Sequence, residues 1–467
     1  MREPVPSVPA VPGPAPRPRR ARPGTVTVLG GSVAALVTAD ALARAGRPVA
    51  LHLPARGAGG GFVALRRDGR RLELGVRALE LGYEDDPAEA PPLAAYDPGF
   101  GGHRAYTPLV RRWVQELVGD RLVPLPAPQL VLDGRRHPDV HFTVDLHGLP
   151  ALLGPRRTAR VARGAAAAIA QHGARGIAPD AHRDLTLASA SLANHGTTFH
   201  ETLIAPLADK FLADGARRTL ATWRRKVWMP LFWPATLLEA CRPDGPAFRP
   251  QRRFETVADT PGPEGPDGGP GAVVAALLAR LRAADAVRIA PLEGRPAAAL
   301  RPGTVVGLGL RDLDPAYAPE RARSVLAWLE VPHDGPVPLV HVADPENPLA
   351  RVSDSGPGRR DGTRVLCAEL RHDTPKERID ADARRGLRDA GLLTAAALTT
   401  APTVMTGAQP TFDAPTAATR DAHAAALARV RAAHPGVVLV GPATAPGADA
   451  FNEQVVAGLA AAEALTR

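Results

Sequence analysis

Residues 25–53 read TVTVLGGSVAALVTADALARAGRPVALHL, and the order of residue types in them decides the fold. VTVLG (26–30) is a short aliphatic run with β-branched residues, the pattern of a buried strand. Residues 32–45 then carry apolar side chains at helical spacing until Gly46 ends the helix. PVALHL (48–53) is a second buried strand. A strand, a glycine turn, a helix and a second strand form the unit that opens a dinucleotide-binding domain. Against G-x-G-x-x-G/A, Gly30 supplies the tight turn and Ala35 is an accepted third position. Ser32 stands where a second glycine would let the backbone approach a pyrophosphate, and Leu53 stands where a ribose-binding fold places an acid. The stretch alone fits a dinucleotide site or a ligand-free strand–helix–strand unit equally well.

Around it, 467 residues with 45% hydrophobic content suffice for a large core and two structural domains. No apolar run approaches the roughly 20 residues that span a bilayer, and no signal segment opens the sequence, so a cytoplasmic protein is expected. Cys241 and Cys367 lie far apart without metal-type spacing and read as buried small hydrophobes; no metal site is expected. The net charge of +9 invites a nucleic-acid partner, but lysine is confined to Lys210, Lys226 and Lys376 and arginine is scattered. With abundant Ala, Pro and Gly, this pattern reads as the codon bias of a GC-rich genome rather than a nucleic-acid surface.

Residues 1–23 are proline-rich with a basic end and are expected to be a disordered tail. ADTPGPEGPDGGPG (258–271) reads as a flexible loop. Residues 107–118 form an amphipathic helix, QLVLDGRRH a hairpin turning at Asp133-Gly134, and 185–240 a helical region. GAVVAALLARLRAA (271–284) is a further helix, SVLAWLEVP, VPLVHVAD and TRVLCAEL are strands, and VVLVG (437–441) leads into the helix FNEQVVAGLAAAEAL (451–465). Strand–turn–helix units at both ends, around helices and antiparallel strands, give an α/β fold. Its Rossmann-like domain is built from discontinuous segments (24–95, 266–322 and 431–467), with an inserted α+β substrate domain (96–265 and 323–430).

The order of these segments resembles the flavin-dependent amine oxidase and protoporphyrinogen oxidase superfamily, with relatives such as UDP-galactopyranose mutase. ARGAGGGF (55–62) is similar to the arginine-and-glycine segment after the second strand, RLELGVR (71–77) to a strand leading to a glycine, and SLANHGTTFHETLIAPLADKFL (191–212) to the helices of the mutase-like members. HVADPENPLARVSDSG (341–356) resembles the strand pair near the active site, and residues 437–465 the closing strand and helix, whose N-terminus faces the flavin ring. The resemblance implies an FAD-type cofactor held by Gly30, Gly31, Ser32, Ala35, Arg56, Gly59, Gly60, Gly441, Asn452 and Glu453. It implies an oxidoreductase acting on a small organic metabolite, in specialised biosynthesis. Two alternatives stand beside it: a redox-neutral mutase- or cyclase-like enzyme with weak or no flavin, and a non-catalytic partner of another enzyme.

Four departures bear on the cofactor. Leu53 replaces the ribose-binding acid, Gly57 stands where an arginine often lies beside the pyrophosphate, Pro442 replaces an aspartate, and Arg77 stands where a histidine is common. Losing three polar holds predicts weak FAD binding. For substrate, Arg351 is a candidate for bidentate capture of an anionic group, and Trp228 and Trp233 for an apolar pocket wall. His195 and His200 in NHGTTFHE lack zinc spacing and are expected to be exposed around a helix cap, with acid–base work as the alternative. No residue is singled out as catalytic.

Overall fold

The computed structural model describes residues 24–55, 57–83, 89–97, 102–242, 252–262, 266–294, 296–446 and 449–467. The proline-rich tail and Arg56 lie outside them.

Aliphatic strands flanked by glycine turns assemble into a parallel sheet. β1 (Val26–Leu29) lies between β2 (Val49–Leu53) and β11 (Val305–Val306), with β10 (Val287–Pro291) outside β2 and β17 (Val438–Leu439) outside β11. Every neighbouring pair is parallel. By order of appearance this is 3-2-1-4-5, the doubly wound arrangement, and strand order reverses between β1 and β11. Helix α1 (Val33–Arg44) covers the sheet and is itself covered by the C-terminal helix Phe451–Thr466. The two helices meet closely: Thr38 Oγ1 donates to the carbonyls of Ala34 and, at 3.1 Å, Gly458.

A second sheet has seven strands: β16 (Thr403–Asp413), β12 (Arg321–Pro332), β15 (Thr363–Leu370), β14 (Leu349–Pro357), β13 (Val340–Val342), β7 (Gln129–Leu132) and β8 (Arg135–Pro138). Alternation gives it two faces. Val325, Ala327, Leu366 and Ala368 pack on the helix Ile379–Asp389, while Leu326, Trp328 and Cys367 face Leu72. Leu72 belongs to the small hairpin of β3 (Leu65–Arg67) and β4 (Arg70–Leu72). A third sheet orders β5 (Leu79–Tyr83), β9 (Arg252–Val257) and β6 (Leu122–Pro124).

The seven-stranded sheet is tied to the neighbouring helices by one lysine. Lys210 is fully buried, and its ammonium donates at 2.7 Å to each of the carbonyls of Val342, Asp344 and Leu349. Burial pushes its pKa down to about 7.

Three expectations need correction. The 185–240 region is helical only in pieces, chiefly Leu187–Phe199, Ala205–Phe211 and Pro234–Ala240, because Asp214 and Trp228 adopt left-handed backbone between them. The start of the expected loop at 258–271 is pinned: the Asp259 carboxylate accepts from Arg71, Arg77 and Arg364. His195 and His200 are buried rather than exposed. His195 Nε2 accepts the Phe232 N–H at 2.8 Å, and burial pushes its pKa down to about 3, so it is a neutral strut. Cys241 and Cys367 are buried free thiols. Among the described residues no helix is long and apolar enough to cross a membrane, and no group of His, Cys, Asp and Glu could hold a metal.

Candidate functional site

In a doubly wound sheet the ligand crevice lies beyond the carboxyl ends of the strands, at the reversal point. Here that point is occupied by backbone. Gly30 has φ +120°, and a Cβ on it would lie 2.5 Å from the Gly307 carbonyl oxygen after β11. A Cβ on Gly31 would lie 2.5 Å from the Gly57 oxygen, and Gly59 N–H donates to the Gly31 carbonyl at 2.6 Å. The close approach that glycine permits is therefore used by the segment 57–59 itself.

The first turn of α1 is also spoken for. Ser32 is its N-cap, accepting from Ala35 N–H at 3.2 Å, and Ala34 N–H donates to Gln454 Oε1 at 3.3 Å. At the C-terminal helix, Asn452 donates through its side-chain amide to the Glu80 carbonyl, and Glu453 brings a carboxylate to the helix start. Around these lie buried Tyr83 and half-buried Arg225, Arg252 and Glu80, with Arg252 ion-paired to Glu80 at 3.3 Å. Gly441 sits where a Cβ would lie 3.3 Å from Ser32 Oγ. Gly60 begins a short helical turn, and Ala35 is fully buried in α1. An open cavity of about 250 Å³ lies beside Leu53, lined by Pro54, Ala55, Leu292, Leu308 and Asp312. Toward FAD as this fold would hold it, Leu53 offers a ribose no acceptor, and the Ala34 and Ala35 amides at the start of α1 are already engaged by Gln454 and Ser32.

A second cavity, of about 140 Å³, lies where the 71–77 segment, β6, β9, the segment 336–339 and β14 converge, lined by Arg77, Thr256, Asp259, Leu339, Ser353 and Asp354 among others. Beneath it is a buried charge cluster. Asp259 lies 2.6 Å from Arg71, 2.7 Å from Arg77 and 3.3 Å from Arg364, and Arg364 pairs with Asp354 at 2.7 Å. Glu73 Oε1 lies 3.1 Å from Arg71 Nε and 3.8 Å from Arg77 Nε. Burial raises the Glu73 pKa to about 7, outweighing both arginines. Burial also acts to raise Asp259, but Arg77 and Arg71 outweigh it and hold that carboxyl below the usual range. Two carboxyls in one cluster are thus driven in opposite directions. Thr256 Oγ1, Arg77 Nε and Glu73 Oε1 are buried without a hydrogen-bond partner among the described residues.

A polar row crosses the same face of the seven-stranded sheet one step away. His341 pairs in register with Arg351, and Arg351 with Glu369; the Arg351 Nε–Glu369 Oε2 distance is 2.5 Å. Asp139 accepts from His341 Nδ1 at 3.0 Å and from Thr143 N–H at 2.9 Å. Phe142 touches both places: it packs with Leu339 of the cavity wall, and its ring centre is 5.9 Å from that of His341.

The sequence-derived candidates distribute unevenly. Arg351 lies in this row, its guanidinium 5.9 Å from the Trp228 ring centre, and Trp228 packs on Phe142 at 4.7 Å. Trp233 belongs to neither cavity lining; it is 54% exposed beneath Arg175, because Pro234 starts a helix that carries it outward. Sequence reading missed Glu73, Asp259, Thr256 and Gln454. The RLELGVR stretch held a signal for the first, a charged residue flanked by leucines in a strand.

No family model matches the chain, and no curated protein matches it. Solved structures do. Reduced UDP-galactopyranose mutase matches with a TM-score of 0.65 at 14% identity, covering 96% of this chain and 93% of that one. A protoporphyrinogen oxidase-like protein from Exiguobacterium sp. 255-15 matches at 0.58 and 15% identity, over 95% and 99%. A putrescine oxidase double mutant matches at 0.52 and 13%, over 94% and 99%. At such identities the likeness is one of architecture, and it is nearly end to end: this chain shares the fold of these three proteins.

Proposed function

We propose that the chain is a redox-neutral enzyme acting on a small organic anion at the Arg77–Thr256–Ser353 cavity, without a tightly held flavin. The observation that carries this reading is the convergence of Arg77, Thr256 and Ser353 on that cavity beside the Glu73–Asp259 pair. Arg77 would hold the anion. Glu73, with its pKa near neutrality, would give or take a proton, while ionised Asp259 keeps the Arg77 guanidinium in place. Segment 24–95 then contributes Glu73 and Arg77, 266–322 and 431–467 serve as scaffold, and 96–265 with 323–430 supply most of the substrate walls.

The architecture shared with reduced UDP-galactopyranose mutase and putrescine oxidase favours a second reading, an FAD-dependent oxidoreductase of a small organic metabolite. One preparation separates them. The visible spectrum of purified protein is taken, and small carboxylates and phosphate esters are then screened by thermal shift on wild type and Thr256→Val. We expect pale protein, a stabilising anion, and a smaller shift in Thr256→Val at an unchanged ligand-free midpoint. A full complement of tightly held flavin would overturn this reading in favour of the oxidoreductase. Failure of every anion to bind would leave a non-catalytic partner as the better reading.

A further inference from the structure

The fold offers a dinucleotide crevice, yet one side chain stands in it in a way that a passive loss of cofactor contacts does not require. Gln454 is 4% exposed, and its carboxamide is held at both ends: Oε1 accepts from Ala34 N–H at 3.3 Å, and Nε2 donates to the Asp449 carbonyl at 2.9 Å. The partners fix its orientation, since an amide N–H needs an acceptor and a carbonyl needs a donor. Ala34 is the second residue of α1, directly after the glycine turn. Such first-turn amides are the groups that a helix offers to a pyrophosphate in this fold.

The placement of Gln454 is rigid. One helical turn further on, Gly458 packs so closely on α1 that a Cβ there would lie 2.6 Å from the Ala34 oxygen. Residues four apart share a helix face, so the contact that seats Gly458 also aims Gln454 at the start of α1. From the other side, a Cβ on Gly441 would lie 3.6 Å from Gln454 Oε1 and 3.3 Å from Ser32 Oγ. The turn after β17, α1 and the C-terminal helix thus converge on one carboxamide oxygen at the start of α1.

We propose that Gln454 is a built-in occupant of the dinucleotide phosphate position, so that a pyrophosphate ligand must compete with the protein's own side chain for the α1 amides. The inference does not depend on the anion cavity near Arg77, which shares none of these residues.

The test measures FAD affinity, by flavin fluorescence at equilibrium, for wild type, Gln454→Ala and Gln454→Glu. Removing the side chain frees the Ala34 amide, and binding should tighten about tenfold or more. Gln454→Glu keeps an acceptor at the same reach and adds like charge, so it should bind no better than wild type. Equal affinity of wild type and Gln454→Ala would overturn the proposal, as would an equal gain in Gln454→Glu. If Gln454→Ala does not fold, Gln454→Asn, which withdraws the amide by one methylene, takes its place with the same expected gain. Flavin-free wild type with no gain in either shortened variant sinks this proposal and leaves the anion cavity standing. Loss of anion binding with the gain intact does the reverse.

Discussion

Replacing Glu73 by Gln tests the physics beneath the candidate cavity. In the folded protein this carboxyl titrates at about 7 rather than 4.5, because burial disfavours its charge more than Arg71 and Arg77 favour it. The folded state therefore holds the proton more tightly than the unfolded chain. The resulting stabilisation is complete below pH 4.5 and is lost as pH rises through about 7. That interval corresponds to about 3 kcal/mol. Glutamine resembles the protonated form and does not titrate. Near pH 4.5 Glu73→Gln should thus be close to neutral. Well above pH 7 it should be more stable than wild type by about 1–3 kcal/mol, the lower figure allowing for lost attraction to the two arginines. Urea unfolding followed by circular dichroism at both pH values measures the difference. If the variant is destabilised by about 3–5 kcal/mol at both, Glu73 is an ionised ion-pair partner and the argument from burial is refuted.

Two further outcomes follow from geometry. Lys210→Met keeps the length of the side chain but orphans three buried carbonyls, so urea midpoints should report a loss of about 3–5 kcal/mol. Gly30→Ala places a methyl 2.5 Å from the Gly307 oxygen at φ +120°, so it should fail to give soluble protein or lower the thermal midpoint sharply, whereas Gly46→Ala, with nothing within 4 Å, should lose far less.

The parallel sheet was legible because its information is local: VTVLG, the glycine turn and PVALHL carry their own periodicity and punctuation. The helix at 107–118 was equally plain, its Val110, Trp113 and Val114 falling on one buried face. The long strand β16 was not read, because TVMTGAQPTFD mixes glycine, proline and polar residues and owes its pairing to β12. The candidate cavity was hidden for a different reason. Arg77, Thr256 and Ser353 come from three distant segments, and Asp259 sits among prolines and glycines that read as a loop. Leu53 stood out on its own as a departure from the ribose-binding pattern. Gln454 could not, since in sequence it is an ordinary helix residue whose direction is set by the packing of Gly458 on α1.

That packing also bears on how the chain reaches its native state. The amide of Ala34 and the hydroxyl of Thr38 find their partners in Gln454 and Gly458, each 420 residues further along. Strand β1 and helix α1 are therefore completed late, since the cover that closes their outer side is made 420 residues after them. Contacts of such separation in sequence make folding slow and leave early intermediates with apolar surface uncovered. A nascent β1–α1–β2 unit, rich in valine, leucine and alanine, would depend on chaperones or on neighbouring segments until the distant helix arrives.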